Sequence, residues 1–163
     1  MVARATQSPS EAVSTDESGQ TAAPPRAQAY VLDAAVGFLL RQVHQRHTSI
    51  FVTIIGDDLT PTQWAALSKL AEVGDTSQNH LGRQTAMDAP TIKGVVDRLS
   101  KRGLIETRDD PEHGRRRLVA LTAAGHDVVV RQLANAHRIT EKTLEPLTQR
   151  EAERLVELLK KLR

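Results

Sequence analysis

Between Asp88 and Leu121 the apolar pattern of this chain changes period with no linker in between. Ile92, Val95, Val96 and Leu99 follow the i, i+3, i+4, i+7 spacing of one helix face. Gly103 comes next, a residue that readily takes positive φ and ends helices at C′. The run Leu104-Ile105-Glu106-Thr107-Arg108 then reads as a strand, Asp109 to Arg116 as a polar loop, and Arg117 to Leu121 as a second strand. The expectation is a helix from Asp88 to Arg102 that packs by its apolar stripe and leads into a β-hairpin with a long basic tip.

The rest of the chain reads as helices. Residues 1–27 are built from Ala, Ser, Thr, Pro, Gln and Gly, end in Pro24-Pro25, and are expected to form a flexible tail outside the core. From Tyr30 to Ile55 apolar residues recur at helical spacing on more than one face, so this helix needs two surfaces to bury against: its own domain and a partner chain. Gly56-Asp57-Asp58 ends it. Thr60-Pro61-Thr62-Gln63 opens the next helix, with a capping residue, a first-turn proline and the Gln of a capping box. Trp64, Leu67, Leu70 and Ala71 are its expected buried stripe, and Gly74 closes it. A short helix starts at Ser77 with Leu81 as its anchor. After the hairpin, Thr122 caps a helix to about Thr143, Pro146 breaks the chain, and Thr148-Gln149-Arg150-Glu151 is a second capping box. The last helix carries Leu155, Leu158, Leu159 and Leu162.

Two short helices followed by a hairpin make a winged helix-turn-helix, here about 60–121. The fold class is therefore mainly α with a small β-hairpin wing, in a domain spanning 28–163. The helices at about 30–55 and 122–163 are expected to serve dimerisation, since the first is apolar on two sides and the last is rich in Leu.

In such a motif the second helix enters the major groove and its N-terminal residues face the base edges. With the apolar stripe inward, Ala89, Pro90, Thr91, Lys93, Gly94, Asp97 and Arg98 point out. Ala89 and Pro90 suit a thymine methyl, Thr91 brings a hydroxyl, and Lys93 is a donor for guanine or phosphate. Gly94 would let the helix approach DNA closely. Ser77 and Gln78, opening the preceding helix, join Arg98 as further candidate contacts. By spacing alone, an amphipathic helix with a solvated face remains open. The hairpin favours the binding reading: Arg115, Arg116 and Arg117 are consecutive, and guanidinium groups on a loop suit phosphates or a narrow minor groove. Residues 83–117 hold nine Lys and Arg against six Asp and Glu.

Composition narrows the partners. The net charge of +2 is too small to decide for nucleic acid, so the placement of charge matters more. An aromatic share of 2% argues against a single-strand binder that stacks bases. Without cysteine, disulfides and thiolate zinc sites are excluded. No stretch approaches the roughly 18 apolar residues of a membrane span, and no apolar signal core follows Arg4, so a cytoplasmic protein is expected. No nucleophile elbow, phosphate loop or metal set points to an enzyme, and no cofactor is expected.

Thr60 to Gly125 resembles the MarR-type transcription regulators, most tellingly in TIKGVVDRLSKRGLIETRDDPEHGRRRLVALTAAG, and the helical order from Tyr30 to Arg163 agrees. The resemblance implies an obligate homodimer with paired winged helix-turn-helix lobes, its first and last two helices forming the interface. It also implies repression from a pseudo-palindromic double-stranded operator, relieved by a small molecule, often an aromatic acid. Two positions depart from the family pattern. Many members carry Arg where this chain has Gly94, which shifts readout towards Lys93 and Thr91. The family wing commonly reads Asp-x-Arg, and here His113 replaces the acid while Arg115 keeps the arginine; His113 would loosen the tip or make it pH-dependent. Within the family, TPTQWAAL and TAMD..TIKGVVDRL look most like regulators of aromatic and heteroaromatic acid catabolism. The group controlling nicotinate breakdown comes first and sensors of aromatic acyl-CoA thioesters second.

A carboxylated ring needs a cation or donors and an apolar wall. Arg41, His44 and Thr48 fall at i, i+3 and i+7 on the first long helix, with Phe51 a turn further, and Trp64 is a candidate wall. The same residues read equally as interface, surface and core. His44 and His47 are not expected to bind metal, lacking cysteine or matching carboxylates. The residues also leave open a regulator without an effector, and a winged-helix module that binds only proteins.

Overall fold

A computed structural model describes residues 30–56, 59–111 and 117–163. The expected tail at 1–27 lies outside the described residues. A single 3-10 turn, Leu32–Ala34, precedes α1 (Val36–Ile55). The chain continues through α2 (Pro61–Val73), β1 (Thr76–Ser77), α3 (Gln78–Gln84), α4 (Ala89–Lys101), β2 (Ile105–Asp109), β3 (Arg117–Leu121), α5 (Ala123–Leu144) and α6 (Gln149–Lys161).

The capping signals act as their chemistry requires. The Thr60 hydroxyl accepts from the Gln63 amide at 3.2 Å while the Gln63 side chain accepts from the Thr60 amide at 3.0 Å. Thr148 and Glu151 repeat the reciprocal pair at the start of α6. Gly103 follows the last residue of α4's cap at φ +68°, and Gly56 and Gly74 close α1 and α2 at φ +73° and +75°. The first long helix starts later than its apolar pattern predicts. Ala35 is extended at φ −75°, ψ 123°, with no side chain able to cap, so α1 begins only at Val36.

The core lies where α2, α3 and α4 meet the sheet. Leu67, Leu81, Ile92, Val95, Leu99 and Val119 are its largest fully buried side chains, joined by Phe51 and Ile55 of α1 and Ile139 of α5. The stripe on α2 is rotated from the expected one: Gln63, Ala66, Leu67 and Leu70 are buried, Trp64 is half-buried and Ala71 is exposed. Gln63 can be buried because its carbonyl oxygen is used by the capping box.

The wing is larger than the expected hairpin. β2 and β3 pair antiparallel with Ile105 opposite Leu121, and β1 adds a third antiparallel strand with Thr76 opposite Val119. The sequence Leu-Thr-x-x-Gly then locks α5 onto this sheet. The Thr122 amide donates to the Leu104 carbonyl at 3.2 Å, and its hydroxyl donates to the Gly103 carbonyl at 2.6 Å while accepting from the Gly125 amide at 3.1 Å. A Cβ at position 125 would stand 2.0 Å from the Leu104 carbonyl oxygen, so only glycine lets the helix start lie this close.

The first and last described helices are different. Val36, Leu39, Leu40 and Val43 of α1 are exposed, and α6 has no buried residue although Val156, Leu158, Leu159 and Leu162 line it. No helix among the described residues is long and apolar enough to cross a membrane.

Candidate nucleic-acid interface

α3 and α4 are joined by a tight turn that two small residues make possible. Ala86 takes φ +54°, a left-handed conformation that costs a non-glycine residue roughly 1–2 kcal/mol. The Met87 amide answers it by donating to the Gly82 carbonyl at 2.8 Å. Gly82 itself is buried, and a Cβ there would come within 3.1 Å of Ile92 Cγ2, so glycine sets how closely α3 crosses α4. Neither Gly82 nor Ala86 stands out in the sequence, since what each does depends on the neighbouring helix.

α4 is held with the candidate contact residues outward. Ile92, Val95, Val96 and Leu99 are buried, while Ala89, Pro90, Thr91, Lys93 and Arg98 are exposed. Asp88 caps the helix, its Oδ1 accepting from the Thr91 amide at 2.8 Å. Hydrogen bonds from the Thr91 side chain and amide hold the Asp88 carboxyl below the usual aspartate range. With its proton given to Asp88, the exposed Thr91 hydroxyl is left with acceptor lone pairs. Gly94 has a role the spacing did not reveal: the Arg98 guanidinium folds back over it, Nη1 lying 3.2 Å from where a Cβ would be. This carries the charge of residue 98 a full turn towards the N-terminal half of the helix.

Ser77 accepts from the His80 amide at 3.3 Å as the cap of α3, and Gln78 is the first residue of that helix. Both lie at the start of the helix that precedes α4. Arg108 on the wing is already paired, with Asp75 next to β1 and with Glu106 at 3.9 Å. Asp75 is a partner that sequence reasoning missed, being brought close only by the third strand. Arg117 is exposed at the open end of β3. Arg115, Arg116 and His113 lie outside the described residues.

The expected effector residues are separated. His44 and Thr48 share an open groove of about 630 Å³ along α1 with Val52. Arg41 is exposed one turn before them. Trp64 instead lines a hollow of about 250 Å³ between α1, α2 and α5, together with His47, Phe51, Ile139 and Thr140. Sequence reasoning missed His47, weighing it only as a metal ligand and setting that aside; among the described residues no group of three or more metal-binding side chains forms. Its Nδ1 is 3.0 Å from the Thr143 hydroxyl, which donates to the Ile139 carbonyl at 2.8 Å. The imidazole is therefore the donor to Thr143, and its Nε2 is left as an acceptor when neutral. Burial lowers the His47 pKa and the neighbouring His44 lowers it further. Beside it, Arg46 donates to the Thr143 and Lys142 carbonyls, the latter at 2.9 Å, and so closes the C-terminal end of α5.

A helix-turn-helix backed by a small antiparallel sheet, with a cation-bearing second helix facing out, defines a winged-helix DNA-binding protein. The MarR family pattern matches residues 57–116. The transcriptional repressor NicR of Pseudomonas putida is 36% identical over 134 residues, 82% of this chain and 85% of that protein. A crystal structure of a probable transcriptional regulator from Pseudomonas aeruginosa superposes with a TM-score of 0.79 at 53% identity, covering 82% of this chain and all of the other. The Bordetella bronchiseptica regulator BpsR, whose DNA binding is regulated by 6-hydroxynicotinic acid, superposes with a TM-score of 0.79 at 36% identity over 82% and 96% of the two chains. The chain belongs to the MarR family of transcription regulators.

Proposed function

We propose that this regulator is a homodimeric repressor that binds a pseudo-palindromic operator and lets go when it takes up a small aromatic or heteroaromatic acid such as a hydroxylated nicotinate. The observation that carries the DNA reading is α4, whose outer face presents Pro90, Thr91, Lys93 and Arg98 on a helix anchored by four buried aliphatic side chains. Ser77, Gln78 and Ala89 are proposed as flanking contacts, and Arg115 and Arg116 as the wing's contribution. Dimerisation is supported by α6, an apolar-faced helix with nothing buried in a single chain. Such a face is stabilised only by covering it, and the exposed start of α1 is its natural complement.

For the effector, the Trp64 hollow is the better home for the ring. It has an aromatic wall in Trp64 and Phe51 and polar groups in His47 and Thr140. At about 250 Å³ it is smaller than the ~300–1,000 Å³ of drug-sized ligand sites, which favours a single-ring acid over an acyl-CoA thioester. Arg41, His44 and Thr48 stay in the proposal as charged and hydroxyl groups on the neighbouring face of α1. BpsR makes hydroxynicotinates the first acids to try. The test is a gel shift on the DNA upstream of the protein's own gene, with 6-hydroxynicotinate titrated in. Retardation that the acid relieves is expected. No retardation would overturn the operator, and retardation that no aromatic acid relieves would overturn the effector.

A further inference from the structure

We propose a second ligand site, in the trough where α1 meets α5 on the side away from Trp64, that takes a small carboxylate with a compact apolar body. Three residue pairs, each one helical turn apart, build it. Ser49 and Thr53 form one rim, Ile50 and Ile54 the floor, and Arg138 and Lys142 of α5 the opposite rim, around a volume of about 220 Å³. Ser49 and Thr53 each follow His47 and Phe51 by two residues, which is about 200° around α1. The same offset separates Arg138 and Lys142 from Ala136 and Thr140 on α5. The trough and the Trp64 hollow therefore lie on opposite sides of one helix pair, while Ser49 and Thr53 also border the groove of His44 and Thr48.

The chemistry of the lining selects the ligand. Lys142 is held by Glu145 at 2.6 Å, but Arg138 makes no ion pair or hydrogen bond among the described residues. An uncommitted guanidinium is the group best shaped to grip a carboxylate through two parallel hydrogen bonds. The Thr53 hydroxyl gives its proton to the Ser49 carbonyl at 2.9 Å, so the Ser49 hydroxyl is the donor left on the α1 rim. Ile50 and Ile54 are half-buried and pack on the main core, so the floor is apolar. The acid nearest the α5 rim, Glu145, is taken up by Lys142, and both it and Glu141 line the groove between α5 and α6 rather than the trough. Charge on one rim and aliphatic carbon beneath it fit a benzoate-like acid better than a bare inorganic anion.

The site is distinct from the DNA face and from the Trp64 hollow, although Ser49 and Thr53 also border the groove of His44 and Thr48, and the test keeps it apart from that hollow. With the Trp64 hollow saturated by 6-hydroxynicotinate, 4-fluorobenzoate is titrated into the full-length protein and followed by broadening of its 19F resonance, for wild type and Arg138→Gln. Trp64 is the sole tryptophan, so its emission reports the other hollow separately. Arg138→Gln is expected to weaken 4-fluorobenzoate binding about 10-fold or more, as the loss of a charge-assisted pair implies, and to leave the Trp64 emission response to 6-hydroxynicotinate unchanged. Acetate, which has no body for the isoleucine floor, should displace the probe far less well than benzoate. Unchanged broadening in Arg138→Gln, a Trp64 response that falls in step with it, or equal displacement by acetate and benzoate would each overturn the proposal.

Discussion

Gly125→Ala opposes helix propensity to packing. Alanine in a helix is favoured over glycine by up to about 1 kcal/mol, so local preference alone expects stabilisation. The structure expects the reverse, because the new Cβ would lie 2.0 Å from the Leu104 carbonyl oxygen, more than an ångström inside ordinary contact. That oxygen is backbone and cannot swing aside; it also accepts from the Thr122 amide at 3.2 Å. Pushing α5 off the sheet costs about 1–3 kcal/mol in overpacking and strains a hydrogen bond worth about 0.5–1.5 kcal/mol. Set against the propensity gain, a net loss of about 1–3 kcal/mol remains, or roughly 3–10 °C in Tm for a chain of this size. Circular dichroism melts and urea midpoints at one fixed protein concentration measure it, since the stability of the proposed dimer depends on concentration. Gly94→Ala is the control. It has the same propensity gain, and its Cβ meets only the flexible end of Arg98, so its Tm should hold or rise. A Gly125→Ala protein as stable as wild type, or a Gly94→Ala protein equally damaged, would refute the reasoning.

Other perturbations follow from single contacts. Lys93→Ala should weaken binding to specific and random duplexes and lower the salt slope of log K by about 1; an unchanged slope and affinity remove Lys93 from the interface. Leu99→Ala should cost about 2–5 kcal/mol in urea unfolding, because a fully buried side chain leaves a cavity behind α4. His47 is held below its ordinary value of 6.5, so the folded protein takes up that proton less readily than the unfolded chain. Its contribution is complete above about pH 6.5 and is lost as pH falls through the folded value; His47→Gln should flatten the pH dependence of the urea midpoint in that window, and an identical slope would reject it. Leu159→Lys places a charge on the open face of α6 and should shift the sedimentation of the proposed dimer towards monomer, whereas an unaffected dimer would move the interface elsewhere.

What can be read along the chain is what is decided within about four residues. The threonines at 60, 122 and 148, the glycines at 56, 74 and 103 and the stripe of α4 all act on near neighbours, and each does in three dimensions what its spacing predicts. The outward face of α4 follows from that stripe, and with it the candidate readers. β1 could not be read, because two residues have no period and become a strand only opposite Leu118 and Val119, some forty positions away. The same holds for the Asp75–Arg108 pair and for Arg98 lying over Gly94, an arrangement set by a side-chain rotamer.

The helix-to-hairpin junction at Gly103 was thus determined by the sequence itself, since backbone freedom and apolar period are local properties. Where that junction's neighbours lie was decided by tertiary structure. Trp64 follows α2 into a hollow with His47, while His44 and Thr48 turn with α1 to another face. One-dimensional spacing places residues on a helix face, but only the packing of α1 against α2 and α5 decides which faces meet.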